Sequence, residues 1–519
     1  MTYYKIFSNT KNNWILLYCY ILAIMPILAA NYFPLIDFYN HAARYYILAN
    51  VADVSTLQDY YAPDWRILPN IGLDIIALAL FKMFQPFVAA KLILLLLISA
   101  TFFGFYTLGK HFKSPIYVCA PVAALLSHSY ILGWGFTNFL LGISFACFLI
   151  TKIIDPQCRY NKEGYSLHII AACVLLLLHG YAFFLFGVIS ICLLIGKNFS
   201  EIKNLKSSLY KDLVRLAGLS ILPLMLFAAS STSKLGGAMG LGIEKIETNY
   251  SEMPILQERL MNELLYRIEV SFRVMESGFI PFDIIMSCTL LLVFAGLLFK
   301  KCISISKQYY FLIATLSLFW IFIPPTLFNV GYVAERIPLL IFLTVAISFR
   351  VTANRFFVAF FLILFATVHS LATALYWNKS SGYYDEFIHE IQSLASQKTI
   401  AIVSGFKHNG RDDNFPRCHP LPHLAFLEKE MYASIFSKYG EQPIVMRGEL
   451  ANMSNALNAV KINRFNPKHI SFQQKLDVAI DQNFDYIIIC GDNWLDLDMT
   501  NKVELVSSAS YFKIVKVNY

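Results

Sequence analysis

The chain has 519 residues, of which 57% are hydrophobic and 15% charged, with a mean hydropathy of +0.55. That is too apolar for a soluble protein of this length, and apolar runs able to cross a bilayer recur through residue 376. The net charge of +8 does not point to nucleic acid, because the basic residues cluster in loops between spans, the positive-inside pattern of a polytopic membrane protein.

Lys5 and Lys11 precede the first apolar run, 14–30, which reads as an uncleaved span with the N-terminus inside. Directly after it, residues 34–50 (PLIDFYNHAARYYILAN) carry Asp37, Asn40, His41 and Arg44 at positions i, i+3, i+4 and i+7. In a helix these four share one face. Such a face suits a chemical site at the membrane surface, or equally an amphipathic helix resting on lipid headgroups. Residues 67–84 are apolar but contain Asn70 and Asp74 and start near Pro69. A crossing there would carry Lys110, His111 and Lys113 to the outside and put Asp74 in lipid, so a re-entrant or surface helix is expected.

The spans then run 87–108, 115–131, 137–151, 168–178, 181–195, 213–229, 282–299, 311–328, 336–349 and 356–376. With the first, that makes eleven crossings. The short pair around His179-Gly180 could instead be one long helix, but the basic loop 197–211 favours two. Outside lie a first loop at 31–86, with juxtamembrane helices, and a long loop at 230–280. The long loop has a glycine-rich front (LGGAMGLG) and a helical section at 254–273. It is either a mobile lid or a linker into an interfacial helix.

From residue 377 strands alternate with helices. Strands are expected at 399–404, 443–446, 486–490 and 511–517, and helices at 384–395, 424–438 and 472–481. This predicts a soluble α/β domain over 377–519, without a GxGxxG or P-loop pattern. Cys418 and Cys490 are the cysteines of this tail; outside the cytoplasm they could pair. His408, His419 and His423, with Asp412 and Asp413, do not have a recognised zinc spacing. The fold class is therefore an α-helical polytopic membrane protein of about eleven transmembrane helices with a C-terminal soluble α/β domain.

Four stretches carry a resemblance. They are the acid after the first span in PLIDFYNHAAR, the proline-containing half-buried segment DWRILPNIGLDIIALAL, the run AAKLILLLLISATFFGFYTLGKHF ending in basic residues, and the long outer loop after the seventh span. Together, over about 14–376, they resemble the GT-C superfamily of membrane glycosyltransferases, and distantly its aminoarabinose-transferase and protein-mannosyltransferase types. The first loop has Asp37-Phe38 where protein mannosyltransferases have an Asp-Glu pair.

The resemblance implies transfer of a sugar from a polyprenyl-phosphate carrier to a lipid, glycan or protein acceptor at the outer face, inverting the anomeric centre. Asp37 would be the general base on the acceptor hydroxyl, or orient the acceptor; its plainer role is a helix N-cap. Asn40, His41, Arg44, Asp64, Asn70 and Asp74 are the expected acceptor-binding residues. Asp74 could equally pair with Arg66 or Lys82. Arg336 is the first candidate for the carrier phosphate, because its fork binds oxyanions bidentately, with Arg66, Lys234, Lys245 and His179 behind it. Arg336 could instead pair with Glu335, and His179 could be a satisfied core histidine. No cofactor is demanded; some members of the superfamily use a divalent cation and others do not. The expected location is a bacterial inner membrane, with the N-terminus cytoplasmic and residues 377–519 periplasmic. The rival functions are a non-enzymatic transporter or assembly protein for lipid-linked glycans, and an O-antigen-type polymerase or ligase.

Overall fold

The computed structural model describes residues 2–154, 162–199, 205–235, 256–324, 326–327, 330–404, 418–437, 441–460, 469–490 and 502–518. Helix α1 (Thr2–Ala29) ends where the backbone N–H groups of Asn31 and Tyr32 both donate to Ser381 Oγ, at 3.1 Å each. Then come α2 (Phe38–Asn50), α3 (Ser55–Tyr60), strand β1 (Tyr61–Pro63) and α4 (Gly72–Met83). A helix the length of α4 covers only about 18 Å, against an apolar bilayer core of about 30 Å. It starts against Leu178 and ends where Lys82 pairs with Asp53 of the same loop. Both its ends therefore lie on one side, and α4 does not cross.

The membrane part continues through α5 (Pro86–His111), α6 (Ile116–Ser127), α7 (Tyr130–Gly133), α8 (Thr137–Ile154), α9 (Lys162–Leu178) and α10 (Gly180–Phe199). It goes on through α11 (Leu205–Ala229), α12 (Ser231–Leu235), α13 (Leu256–Phe272), α14 (Ile280–Phe299) and β2 (Ile303–Ile305). After α15 (Tyr310–Phe322), β3 (Thr326–Leu327) and β4 (Val330–Gly331), it closes with α16 (Ile337–Ile347), β5 (Phe349–Val351) and α17 (Arg355–Ile391). Close approach of α5 and α8 depends on Gly104, where a Cβ would come within 2.8 Å of the Ser144 carbonyl. Small residues are the usual means of such packing in membranes.

Among the described residues, five helices are long and apolar enough to cross a membrane: Pro86–His111, Gly180–Lys197, Leu209–Ala229, Ile280–Phe299 and Arg355–Ile391. Asn13–Ala29, Ile116–Ser127, Thr137–Ile153 and Gly164–Leu178 are shorter apolar helices. The short pair around His179 is two helices, α9 and α10. The span expected over 311–328 stops as a helix at Phe322, short of Pro324, which disfavours helical geometry before it. Helix α17 runs past residue 376 for 37 residues in all. Buried Trp377, Ser380, Ser381, Tyr384, Phe387 and Ile391 repeat at three- and four-residue spacing, so the helix leaves the apolar layer without a break.

Contacts sort the connections onto two sides. Strands β2 and β5 pair, Phe112 meets Tyr309 at 5.3 Å, Gly109 packs on Cys119 and Ile347, and Gly196 packs on Gln308. Lys110, Lys113, Lys197, Lys300, Lys307 and Arg350 thus gather on one side, as the charge pattern predicts. The turn at His179, the first loop and the 128–139 segment gather on the other, with Gly180 N–H donating to the Pro69 carbonyl at 3.2 Å.

The C-terminal part holds α18 (Leu421–Lys429), β8 (Ile444–Met446), α19 (Gly448–Ala459), α20 (His469–Asp481) and a five-stranded sheet. The sheet order is β10 (Val503–Ser508), β11 (Phe512–Val517), β9 (Tyr486–Cys490), β6 (Thr399–Ser404) and β7 (Tyr432–Ala433). The strand β6 is parallel to both β9 and β7, while β11 is antiparallel to β9 and β10. Cys418 and Cys490 form a disulfide. The strand β8 pairs with β1, placing Ala62 opposite Val445, so the first loop and the C-terminal part fold as one layer.

Candidate active site

Helix α2 is buried on nearly every side, between α4 and α18, and does not rest on a lipid surface. Its polar face is divided. Arg44 Nε donates to Asp74 Oδ1 at 2.7 Å, with both side chains fully buried. Asn40 Oδ1 accepts the Phe436 backbone N–H at 2.9 Å. His41 stacks on Tyr45 and lies 5.9 Å from Phe436. Burial, then the Arg44 charge, hold its imidazole well below the ordinary range, so it is neutral at pH 7. The basic partner of Asp74 is therefore Arg44, and neither Arg66 nor Lys82.

Asp37 begins α2, yet its side chain makes no capping hydrogen bond. Its position comes from the segment after α6. Ile36 and Asp37 donate their backbone N–H groups to the carbonyls of Gly133 and Trp134, at 3.1 Å each. Gly135, at φ +82°, lies so close that a Cβ would stand 2.9 Å from Asp37 N. Only glycine accepts both the conformation and the approach.

The same segment leads to Arg336. Its guanidinium is buried over the rings of Phe136, Phe139 and Tyr181, at 4.5, 5.0 and 5.9 Å. Nη2 donates to the Gly331 carbonyl at 3.3 Å, and Nη1 stands 3.2 Å from His179 Nε2. No ion pair joins Arg336 to Glu335 among the described residues. His179 Nδ1 accepts the backbone N–H groups of Tyr181 and Ala182, at 3.1 and 3.3 Å, which caps α10. Burial, then the Arg336 charge, hold His179 well below its ordinary range. Arg336 Nη1 and His179 Nε2 are at hydrogen-bond distance, the ring nitrogen's role following its tautomer. Arg336 Nε makes no hydrogen bond among the described residues, so an anionic oxygen beside it would accept from the guanidinium, near a helix N-terminus that favours negative charge.

Asn70 joins this group through its carbonyl, which accepts from Asn138 Nδ2 at 2.6 Å. Asp64 is held by Arg66 at 2.7 Å in a partly exposed pair, away from Arg336 in contacts. The side chains of Lys234 and Lys245, the glycine-rich front from 236 to 242, and His408, Asp412 and Asp413 lie outside the described residues. The helical section of the long outer loop is α13. The ring nitrogens of His423 meet the carbonyls of His419 and Ser434 at 3.3 and 3.0 Å. Sequence reasoning missed the GWGFTNF segment, 133–139. Its signal was two glycines among aromatics between spans.

A helical membrane body joined to a C-terminal sheet layer is a fold with counterparts among solved structures. The chain is similar to ArnT from Cupriavidus metallidurans in the apo state, at a TM-score of 0.50 and 10% identity over 98% of each chain. ArnT bound to undecaprenyl phosphate gives a TM-score of 0.48 and 10% identity, over 97% of this chain and 98% of that one. No family model and no curated protein sequence matches the chain.

Proposed function

We propose that this protein is a membrane glycosyltransferase of the GT-C type, moving a sugar from a polyprenyl-phosphate carrier to an acceptor hydroxyl outside the cytoplasm. Arg336 and His179 receive the phosphate. The observation that carries this is a buried guanidinium whose Nε makes no hydrogen bond and which has no carboxylate ion-pair partner among the described residues. A phosphate oxygen supplies both the acceptor and the charge, whereas a neutral ligand leaves the guanidinium charge buried and uncompensated.

Asp37 is the base, held beside this site by the segment that also builds the Arg336 box. The acceptor oxygen bonds to the anomeric carbon while the bond from that carbon to the phosphate oxygen breaks. The electron pair leaves with the phosphate and the acceptor proton goes to Asp37. A single displacement of this kind inverts the anomeric centre. Arg44, Asp74 and Asn40 position α2 and do not touch substrate. The disulfide between Cys418 and Cys490 supports an oxidising compartment for the C-terminal α/β domain.

The test compares lipid-linked sugars and surface glycans in wild type, a deletion, and Asp37→Asn at matched protein level. A carrier-linked sugar that accumulates, with one glycan residue lost in both mutants, is the expected result. Wild-type glycans in Asp37→Asn would reduce Asp37 to a structural residue and favour a transporter or assembly protein.

A further inference from the structure

A basic strap closes the end of the helix bundle opposite the first loop. Strand β2 follows α14 and β5 precedes α17, and their antiparallel pairing sets Ser304 opposite Arg350. The Cys302 carbonyl accepts the backbone N–H groups of Thr352 and Ala353 at 2.9 and 3.2 Å, and the Lys301 carbonyl accepts the Thr352 hydroxyl at 2.6 Å. Lys301 and Asn354 turn the chain at φ +54° and +53°. Ile303 and Phe349 are buried, while Ser304 and Arg350 are exposed. At the end of α5, Phe112 packs edge-on against buried Tyr309, which joins the turn carrying Lys113 to the strap.

The charge of this surface has one sign. Lys113, Lys300, Lys301, Lys307, Arg350 and Arg355 are all exposed, and none forms an ion pair among the described residues. The stretches that build the strap, 109–115, 299–310 and 346–357, contain no Asp or Glu. Cations gathered without an acid leave their field uncompensated, and that field attracts anions.

The position of the cations names the anion. Phe299, 89% exposed, ends α14, and Phe356, 85% exposed, is the second residue of α17. Both helices are long and apolar enough to cross a membrane, so these rings border the acyl chains. Lys300 comes one residue after Phe299 and Arg355 one residue before Phe356. The cations therefore lie where phosphodiesters meet the chains, and arginine forks bind such oxygens bidentately. A soluble anion has no use for the apolar border, whereas a phospholipid uses the cations and the border together.

We propose that this strap binds the phosphodiester headgroup of anionic diacyl phospholipids, with their chains along Phe299 and Phe356. The inference uses no residue of the Asp37 and Arg336 site and stands or falls apart from the transferase function.

The test uses the purified full chain in detergent, with dioleoyl phosphatidylglycerol or dioleoyl phosphatidylcholine added at equal concentration and bound lipid counted by native mass spectrometry. The wild type should hold the anionic lipid about fivefold or more over the neutral one. In Arg350→Gln with Arg355→Gln that binding should fall about tenfold, while Lys152→Gln with Lys211→Gln, which removes two exposed charges elsewhere, should stay within about twofold of wild type. Equal binding of the two lipids by the wild type, an unchanged strap variant, or equal loss in both variants overturns the site. Displacement of the lipid by an equal concentration of glycerol phosphate assigns the strap to a soluble phosphate and overturns the lipid. A second measurement needs no variant. Phosphatidylglycerol carrying a photoreactive diazirine on its headgroup should label the wild type within 299–310 and 346–357, and labelling only elsewhere overturns the proposal.

Discussion

Asp37 and Asp74 are both carboxylates of the first loop, and their surroundings give them different fates. Asp74 and Arg44 are fully buried against each other. Removing one partner leaves an uncompensated charge, so Asp74→Asn or Arg44→Met should each cost about 3–5 kcal/mol. The double change Arg44→Met with Asp74→Leu should recover most of that, read as thermal unfolding in detergent. Asp37→Asn should melt with the wild type yet lose transfer by about 10²–10⁴-fold, the usual worth of a general base. Arg336→Lys keeps the charge but not the planar fork, and carrier-phosphate binding should weaken about tenfold or more, measured by titration. The helical spacing of Asp37, Asn40, His41 and Arg44 was legible in the sequence, but the partners that divide that face were not. The Phe436 N–H that Asn40 holds is 396 positions away, and periodicity within one helix carries no information about it.

Elements whose ends are marked by local chemistry were legible; those governed by distant packing were not. The strands β6, β9 and β11 sit where their apolar runs predict, within a residue. The edge strand β10 has a largely exposed pattern and gave no apolar signal. The join of β1 to β8 is a pairing of two short segments far apart in sequence. Within this layer α18 carries a pH response. Burial pushes the His423 imidazole down to about 4, and the carbonyls of Ser434 and His419 oppose this without offsetting it. Its folded pKa lies below the unfolded value of about 6.5, so the unfolded chain takes the proton first. The associated stability is complete above pH 6.5 and is lost as pH falls from there to about 4, by about 3 kcal/mol in all. Thermal melts of His423→Gln should lack that decline.

At the scale of the molecule, one covalent bond, one strand pairing and one charge pattern bear on which surfaces share a compartment. The β1–β8 pairing puts residues 61–63 and 444–446 on the same side of the membrane. The disulfide closes a separation of 72 residues, which by loop entropy contributes about 4 kcal/mol, and an oxidising compartment favours its persistence. The basic connections at Lys110, Lys300 and Arg350 gather at one end of the helices, the side that the positive-inside tendency would assign to the cytoplasm. Single cysteines replacing the exposed residues Asp53 and Glu504 should react with a membrane-impermeant maleimide in intact spheroplasts. Those replacing the exposed residues Lys110 and Lys300 should react only after permeabilisation. The native free cysteines among the described residues are buried or half-buried, which keeps the background low. Labelling in the reverse order would turn the site toward the cytoplasm and remove the compartment in which a carrier-linked sugar meets its acceptor. Labelling of Asp53→Cys from one side and Glu504→Cys from the other would contradict the β1–β8 join itself. That pattern would separate the base from the layer that holds its helix.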